Sequence, residues 1–156
     1  AIIILSASAL SVRAIREAIF DFIMRIFSDR TVVSTESGTD EGYPETIEEL
    51  YYISELPEGF EQNKFNENDV SIDTLYVNDE KYILFSQYTK SYYHKTYDNE
   101  QSKYKEYCNE ENQEYLIFSS EYSNAFLWDN GRYIFTISSN LDKEDILKLC
   151  KSTKVK

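Results

Sequence analysis

Histidine, cysteine, glycine and proline are all scarce in this sequence of 156 residues, which has one His, two Cys, four Gly and two Pro. One His and two Cys supply neither a zinc site nor a histidine-based triad, and four scattered Gly do not build a phosphate cradle. No catalytic residue, metal or cofactor is therefore expected, and the chain reads as a non-enzyme. Positive charge is also short: 16 Lys and Arg stand against 28 Asp and Glu, a formal net charge of −12. That field repels polyphosphate backbones, so nucleic acid is not an expected partner.

Apolar and aromatic residues are plentiful. With 42% hydrophobic residues and 14 Tyr, the chain is too apolar for a disordered acidic tail. A chain of this length buries roughly 68–70% of its unfolded surface, so one domain with a terminal extension is expected.

Ala1 to Val12 carry no charge. Twelve helical residues span about 18 Å against a hydrocarbon core of about 30 Å, so this stretch alone does not cross a bilayer. It fits the end of a membrane-anchor helix, the apolar region of a signal peptide with Ala7-Ser8-Ala9 as its small-x-small pattern, or a plain buried helix. From Arg13 to Asp29, Ile15, Ile19, Phe22 and Ile26 recur at helical spacing. Such an amphipathic helix packs on its own domain or lies on a membrane face with Arg13, Arg16, Arg25 and Arg30 near headgroups. Residues 1–30 carry a net +1 and residues 31–156 a net −13. The expected organisation is therefore an anchor end and juxtamembrane helix over 1–30, an acidic linker over 31–45 and a folded domain over 46–156.

Within that domain, Thr46-Ile47-Glu48-Glu49 has capping-box spacing and predicts a short helix, which Leu56-Pro57-Glu58-Gly59-Phe60 ends. Ile72 to Val77 alternate as a strand, Asn78-Asp79-Glu80 turns the chain, and Tyr82 to Tyr88 form a strand apolar on both sides, hence central. Lys90 to Asn112 is the hardest stretch to assign, with Lys103 to Tyr107 reading as an edge strand. Tyr115 to Ser119 and Tyr122 to Trp128 predict further strands. Asp129-Asn130-Gly131 signals a tight hairpin into Tyr133 to Ser138, because Asn and Gly tolerate positive φ. Asp142 caps a last helix, with Leu141 placed to pack on Ile146 and with Leu149 and Cys150 on its buried face. The expected fold is α+β: a twisted antiparallel sheet of about five to seven strands from Phe60 to Ser138, with the Thr46 helix and the C-terminal helix on one face and the N-terminal amphipathic helix appended.

Few residues suggest chemistry. Glu48 and Glu49 read as a solvated helix face, and neither Asp40-Glu41-Gly42 nor Asp69 to Asp73 reproduces a calcium-loop ligand ladder. His94 reads as a loop or edge residue rather than a general base. Cys108 and Cys150 form no CxxC and are expected as free thiols. Most aromatics belong to sheet packing, but Tyr88, Tyr92, Tyr93, Tyr104, Tyr107 and Trp128 are candidates for lining a ligand cleft. The partner is an unidentified protein, peptide or small apolar ligand.

Ala9-Leu10-Ser11-Val12-Arg13-Ala14-Ile15-Arg16-Glu17-Ala18, Thr46 to Tyr51, Leu56 to Phe60, Gln87 in its strand, Trp128 to Gly131 and Leu141 to Ser152 occur in an order that resembles the bacterial domain of unknown function 4367. The resemblance implies a module that follows a single membrane span in anti-sigma-factor-like envelope proteins of Gram-positive bacteria, with no assigned catalytic residues. It further implies location at the cell membrane on the extracytoplasmic side, membrane contact through the N-terminal segment, and sigma-factor contact only through an upstream cytoplasmic segment. A sensing or binding domain of a membrane-anchored regulator is the leading expectation, an envelope structural or carrier protein the second, and an acid-using hydrolase the third. Two departures from the family pattern stand out: Lys90 to Asn112 lacks a glycine-bearing turn, and Cys150 replaces a usual small Ala.

Overall fold

The computed structural model describes residues 42–97, 105–119 and 121–156; the anchor, amphipathic helix and most of the linker read from the sequence lie outside these residues, as does Tyr104. The described elements run β1 (Tyr51–Ile53), β2 (Glu61–Glu67), β3 (Ser71–Asn78), β4 (Lys81–Thr89), α1 (Lys90–Tyr97), β5 (Lys105–Glu110), β6 (Gln113–Ser119), β7 (Asn124–Asp129), β8 (Tyr133–Ser139), α2 (Lys143–Lys151) and β9 (Thr153–Val155). Seven strands form one antiparallel sheet in the order β2-β3-β4-β8-β7-β6-β5, and β1 pairs separately with β9. The seven-stranded antiparallel sheet with a C-terminal helix is the core of the expected fold. No helix among the described residues is long and apolar enough to cross a membrane.

Strand alternation divides the core into two faces. Tyr82, Leu84, Tyr88, Leu116, Leu127 and Ile134 pack on the first face, where α1 lies against β4 and β8. Ile83, Phe85, Tyr115, Phe126, Trp128, Phe135 and Ile137 pack on the second, covered by Ile146, Leu149 and Cys150 of α2. The central strand β4 is buried from Tyr82 to Thr89, which is why its sequence is apolar on both sides.

Local turn chemistry fixes the hairpins. Asn78 pairs with Lys81 across Asp79-Glu80, and Asp79 takes a φ of 51°. Glu110 pairs with Gln113 across Glu111-Asn112, whose φ values of 52° and 66° match the strand twist of a two-residue hairpin. A Glu and an Asn thus form this turn without a glycine. At Asp129-Asn130-Gly131 only Gly131 has positive φ, at 97°. Asn130 acts through its side chain instead: Oδ1 accepts the amides of Arg132 and Tyr133, each at 2.9 Å.

Three local expectations need correction, and one strand carried no signal in the sequence. Thr46 does not start a helix; residues 46–50 form neither helix nor strand and lie along the second face, where Ile47 packs, because their backbone groups find partners outside the segment. The Ile47 amide donates to the Asp69 carbonyl at 2.7 Å, and the Glu48 amide donates to the Tyr133 hydroxyl at 3.0 Å. Lys90–Tyr97 forms α1, which places His94 in a helix rather than a loop or edge; only Lys105–Glu110 becomes the edge strand. The β2 edge, exposed along its whole length, carries no buried stripe from which a strand could be read. Asp142 is the N-cap of α2, but its side chain makes no capping bond.

The strip before β1 is held chiefly by Gln87, which is fully buried in β4. Its Nε2 donates to the Glu49 carbonyl at 2.8 Å and its Oε1 accepts the Tyr51 amide at 3.1 Å, so one carboxamide replaces a pair of ladder bonds. Arg132 adds ion pairs to Glu48 at 2.8 Å and Glu49 at 3.4 Å, both exposed and of small worth. Replacing Gln87 with Leu keeps the volume but orphans both backbone groups, and is expected to cost about 2–4 kcal/mol in urea unfolding. A loss below about 1 kcal/mol would show that water takes over those bonds.

Candidate functional site

On the second face, four aromatic rings from four strands form a continuous row. Tyr51 of β1 lies 4.9 Å from Phe135 of β8, Phe135 lies 5.3 Å from Trp128 of β7, and Trp128 lies 5.7 Å from Tyr115 of β6, all between ring centroids. Trp128 and Phe135 are register partners, so the row follows from strand pairing. These rings floor an open cleft of about 230 Å³ whose rim comes from the β5–β6 hairpin, the β7–β8 hairpin and the end of α2.

The rim is polar and tied together. Glu111 pairs with Lys151 at 2.9 Å, joining the hairpin tip to the helix end. Asn130 Nδ2 donates to the Tyr51 hydroxyl at 3.1 Å and holds that ring in place, while Gln113 Nε2 donates to the Asp129 carbonyl at 3.1 Å. Glu110 and Thr153 complete the rim, and Cys150 lines the wall. Burial, then the neighbouring Cys150 and Cys108, then the carboxylates of Glu111 and Glu110, push the Tyr115 phenol up to about 12. Burial also holds the Cys150 thiol well above its ordinary value, so it is neutral and a weak nucleophile. Both cysteines are free thiols, Cys150 buried and Cys108 half-buried.

The structure separates the aromatics singled out from the sequence. Tyr88, Tyr92 and Tyr93 come together on the first face, with Tyr88 centred 6.1 Å from Tyr92 and 5.4 Å from Tyr93. Trp128 lies on the second face, in the cleft. Tyr107 falls on strand β5, and its side chain, like Tyr104, lies outside the described residues. Sequence reasoning missed Tyr51, Tyr115 and Phe135 as cleft residues. Their signal, an aromatic on each of several strands near Trp128, was indistinguishable from core packing until the register placed them side by side.

A family model described as a domain of unknown function (DUF4367) matches residues 50–152, from the start of β1 to the cap of α2. The chain belongs to this family. Comparison with curated proteins gives no match. The DUF4367 match includes nearly every residue of the cleft, with Thr153 one position beyond it.

Across the sheet, the first face holds a small polar row. Asp73 accepts hydrogen bonds from the Ser86 hydroxyl, which is its register partner, and from the Tyr88 hydroxyl at 3.3 Å. The Thr136 hydroxyl, opposite Ser86 on β8, is buried and has no hydrogen-bond partner among the described residues. Burial raises the Asp73 carboxyl above its ordinary value despite those two donors, which act to lower it. A raised native value means that the ionised form is the costly one: the stabilising contribution is present below the unfolded value and is lost as pH rises through the native value. The Asp73→Asn variant keeps an acceptor for both hydroxyls and removes that cost. It is expected to be at least as stable as the parent at pH 7 in urea unfolding, with the parent gaining on it as pH falls through the raised native value and the gain complete below about pH 4. A variant weaker at pH 7 that draws level in acid would show that the hydroxyls outweigh burial.

Proposed function

We propose that this protein is a non-enzymatic binding or sensing domain of a membrane-anchored regulator of the anti-sigma-factor type, held on the extracytoplasmic side of the membrane, and that its ligand seat is the aromatic cleft. The observation that carries the binding part is the way the cleft is assembled. Its walls come from residues 51, 110–115, 128–135 and 150–153, so an occupant touches β1, two hairpins and the end of α2 at once. An aromatic floor ringed by convergent polar groups is a form that a small-ligand site can take. Filling it couples the occupant to the Glu111–Lys151 bridge, a contact between a hairpin tip and a helix end through which occupancy reaches the C-terminal segment. The acidic surface suits an outward-facing module, and the apolar, arginine-bearing pattern of residues 1–30 supports a membrane-proximal N-terminal segment.

Two measurements test this reading. Small-fragment titrations followed by amide chemical shifts are expected to give saturable changes at Tyr51, Glu111, Tyr115, Trp128 and Cys150. Changes confined to the surroundings of Tyr92 and Tyr93 would move the site to the opposite face. The full reading frame of the gene is expected to encode a cytoplasmic helical domain ahead of the membrane segment; a frame without one would favour an envelope structural or carrier role.

A further inference from the structure

We propose that the cleft takes a small organic cation, a quaternary or alkylated ammonium group, seated on the rings of Tyr51, Tyr115 and Trp128 with Glu110 as its counter-charge. The inference rests on the binding reading above and narrows it to a ligand class. The charged groups of the cleft are Glu110, Glu111 and Lys151, an excess of one negative charge. Lys151 is already matched to Glu111 at 2.9 Å, whereas Glu110, half-buried, has no ion-pair partner among the described residues. An anionic ligand would therefore meet a carboxylate without an ion pair and a lysine already held by Glu111 and, more weakly, by Glu110. A neutral apolar ligand would desolvate Glu110 without compensation, which is costly for a carboxylate.

A cation gains on both counts. Aromatic faces attract it through their quadrupole, and the carboxylate attracts it through charge. The carboxylates of Glu110 and Glu111, the smaller contributors to the raised Tyr115 phenol after burial and the cysteines, attract an ammonium group at the same place. Weak hydration favours alkylated ammonium over a bare metal ion or a primary ammonium on such a floor, because less solvation is lost on entry. The volume, about 230 Å³, is below the usual range for drug-sized ligands and suits a headgroup-sized cation. At long range the net charge of −12 raises the local concentration of any cation.

The chain has a single Trp, and it lies in this floor, so selective Trp emission reads the cleft directly. Choline and its uncharged isostere 3,3-dimethyl-1-butanol are titrated at constant ionic strength, with amide shifts of residues 110–115 as a second readout. Choline is expected to saturate both signals and to bind at least about tenfold more tightly than the isostere. Glu110→Gln, a substitution at a half-buried rim position, is expected to weaken choline about tenfold and leave the isostere unchanged. Equal affinity for choline and the isostere would overturn the cation assignment while leaving a binding cleft in place. Undiminished choline affinity in Glu110→Gln would remove Glu110 as the counter-charge and with it the proposal. Silence of both signals with both probes would overturn the cation assignment, and if the fragment titrations also gave no saturable change there, the cleft would lose its standing as a ligand seat altogether.

Discussion

The carboxamide of Gln87 is the constraint on which the second face depends. A segment laid across an apolar sheet must satisfy its backbone groups away from water, and β1, into which the strip leads, has only a three-residue partner in β9. Gln87 supplies a donor and an acceptor from below, and the Tyr133 hydroxyl accepts the amides of Glu48 and Glu49 just upstream. Both side chains rise from the sheet interior, on β4 and β8, which are neighbours. Once the strip is fixed, Tyr51 has one place to go, and the aromatic row is complete. Packing, hydrogen bonding and the candidate site are therefore consequences of one arrangement.

The two faces answer different requirements. The second face gathers most of the aromatic mass and two layers of cover, the strip and α2, and leaves an opening where these meet the β5–β6 hairpin. The first face mixes apolar residues with a row of hydroxyls around Asp73. A carboxylate held there at some cost is a local conflict of the kind that folded proteins retain at particular places rather than throughout.

Much of the sheet was legible in the sequence because burial writes itself as alternation. The two-sided apolar run of β4 marked it as central, and Asn130-Gly131 marked the β7–β8 hairpin even though Asn130 acts by its side chain rather than by a left-handed backbone. What stayed hidden was structure without a buried stripe. The β2 edge is exposed throughout, and α1 begins with Lys-Ser-Tyr-Tyr, which is no stronger as a helix than as a loop. Thr46 to Glu49 carries a genuine helix signal that tertiary hydrogen bonds override. The cleft was half legible: Trp128 was noted, but Tyr51, Tyr115 and Phe135 became a floor only through a register that no local pattern encodes.

The pairing of β1 with β9 ties Tyr51–Ile53 to Thr153–Val155, and the Lys156 amide also donates to the Leu50 carbonyl at 2.8 Å. On a ribosome or in a translocation pore, the chain emerges from its N-terminal side. The seven-stranded sheet can assemble its hairpins in the order of synthesis, and its one long-range pairing, β4 with β8, closes as soon as β8 is made. β1 cannot: it waits for residues made about a hundred positions later, the longest loop closure in the described fold. Until then the strip is held by Gln87, Tyr133, Asp69 and Arg132 without the β9 ladder, and the cleft has a floor without its last wall. The site is thus the last part of the described fold to form, and a chain stalled or trimmed before Thr153 would carry the seven-stranded sheet and no finished seat.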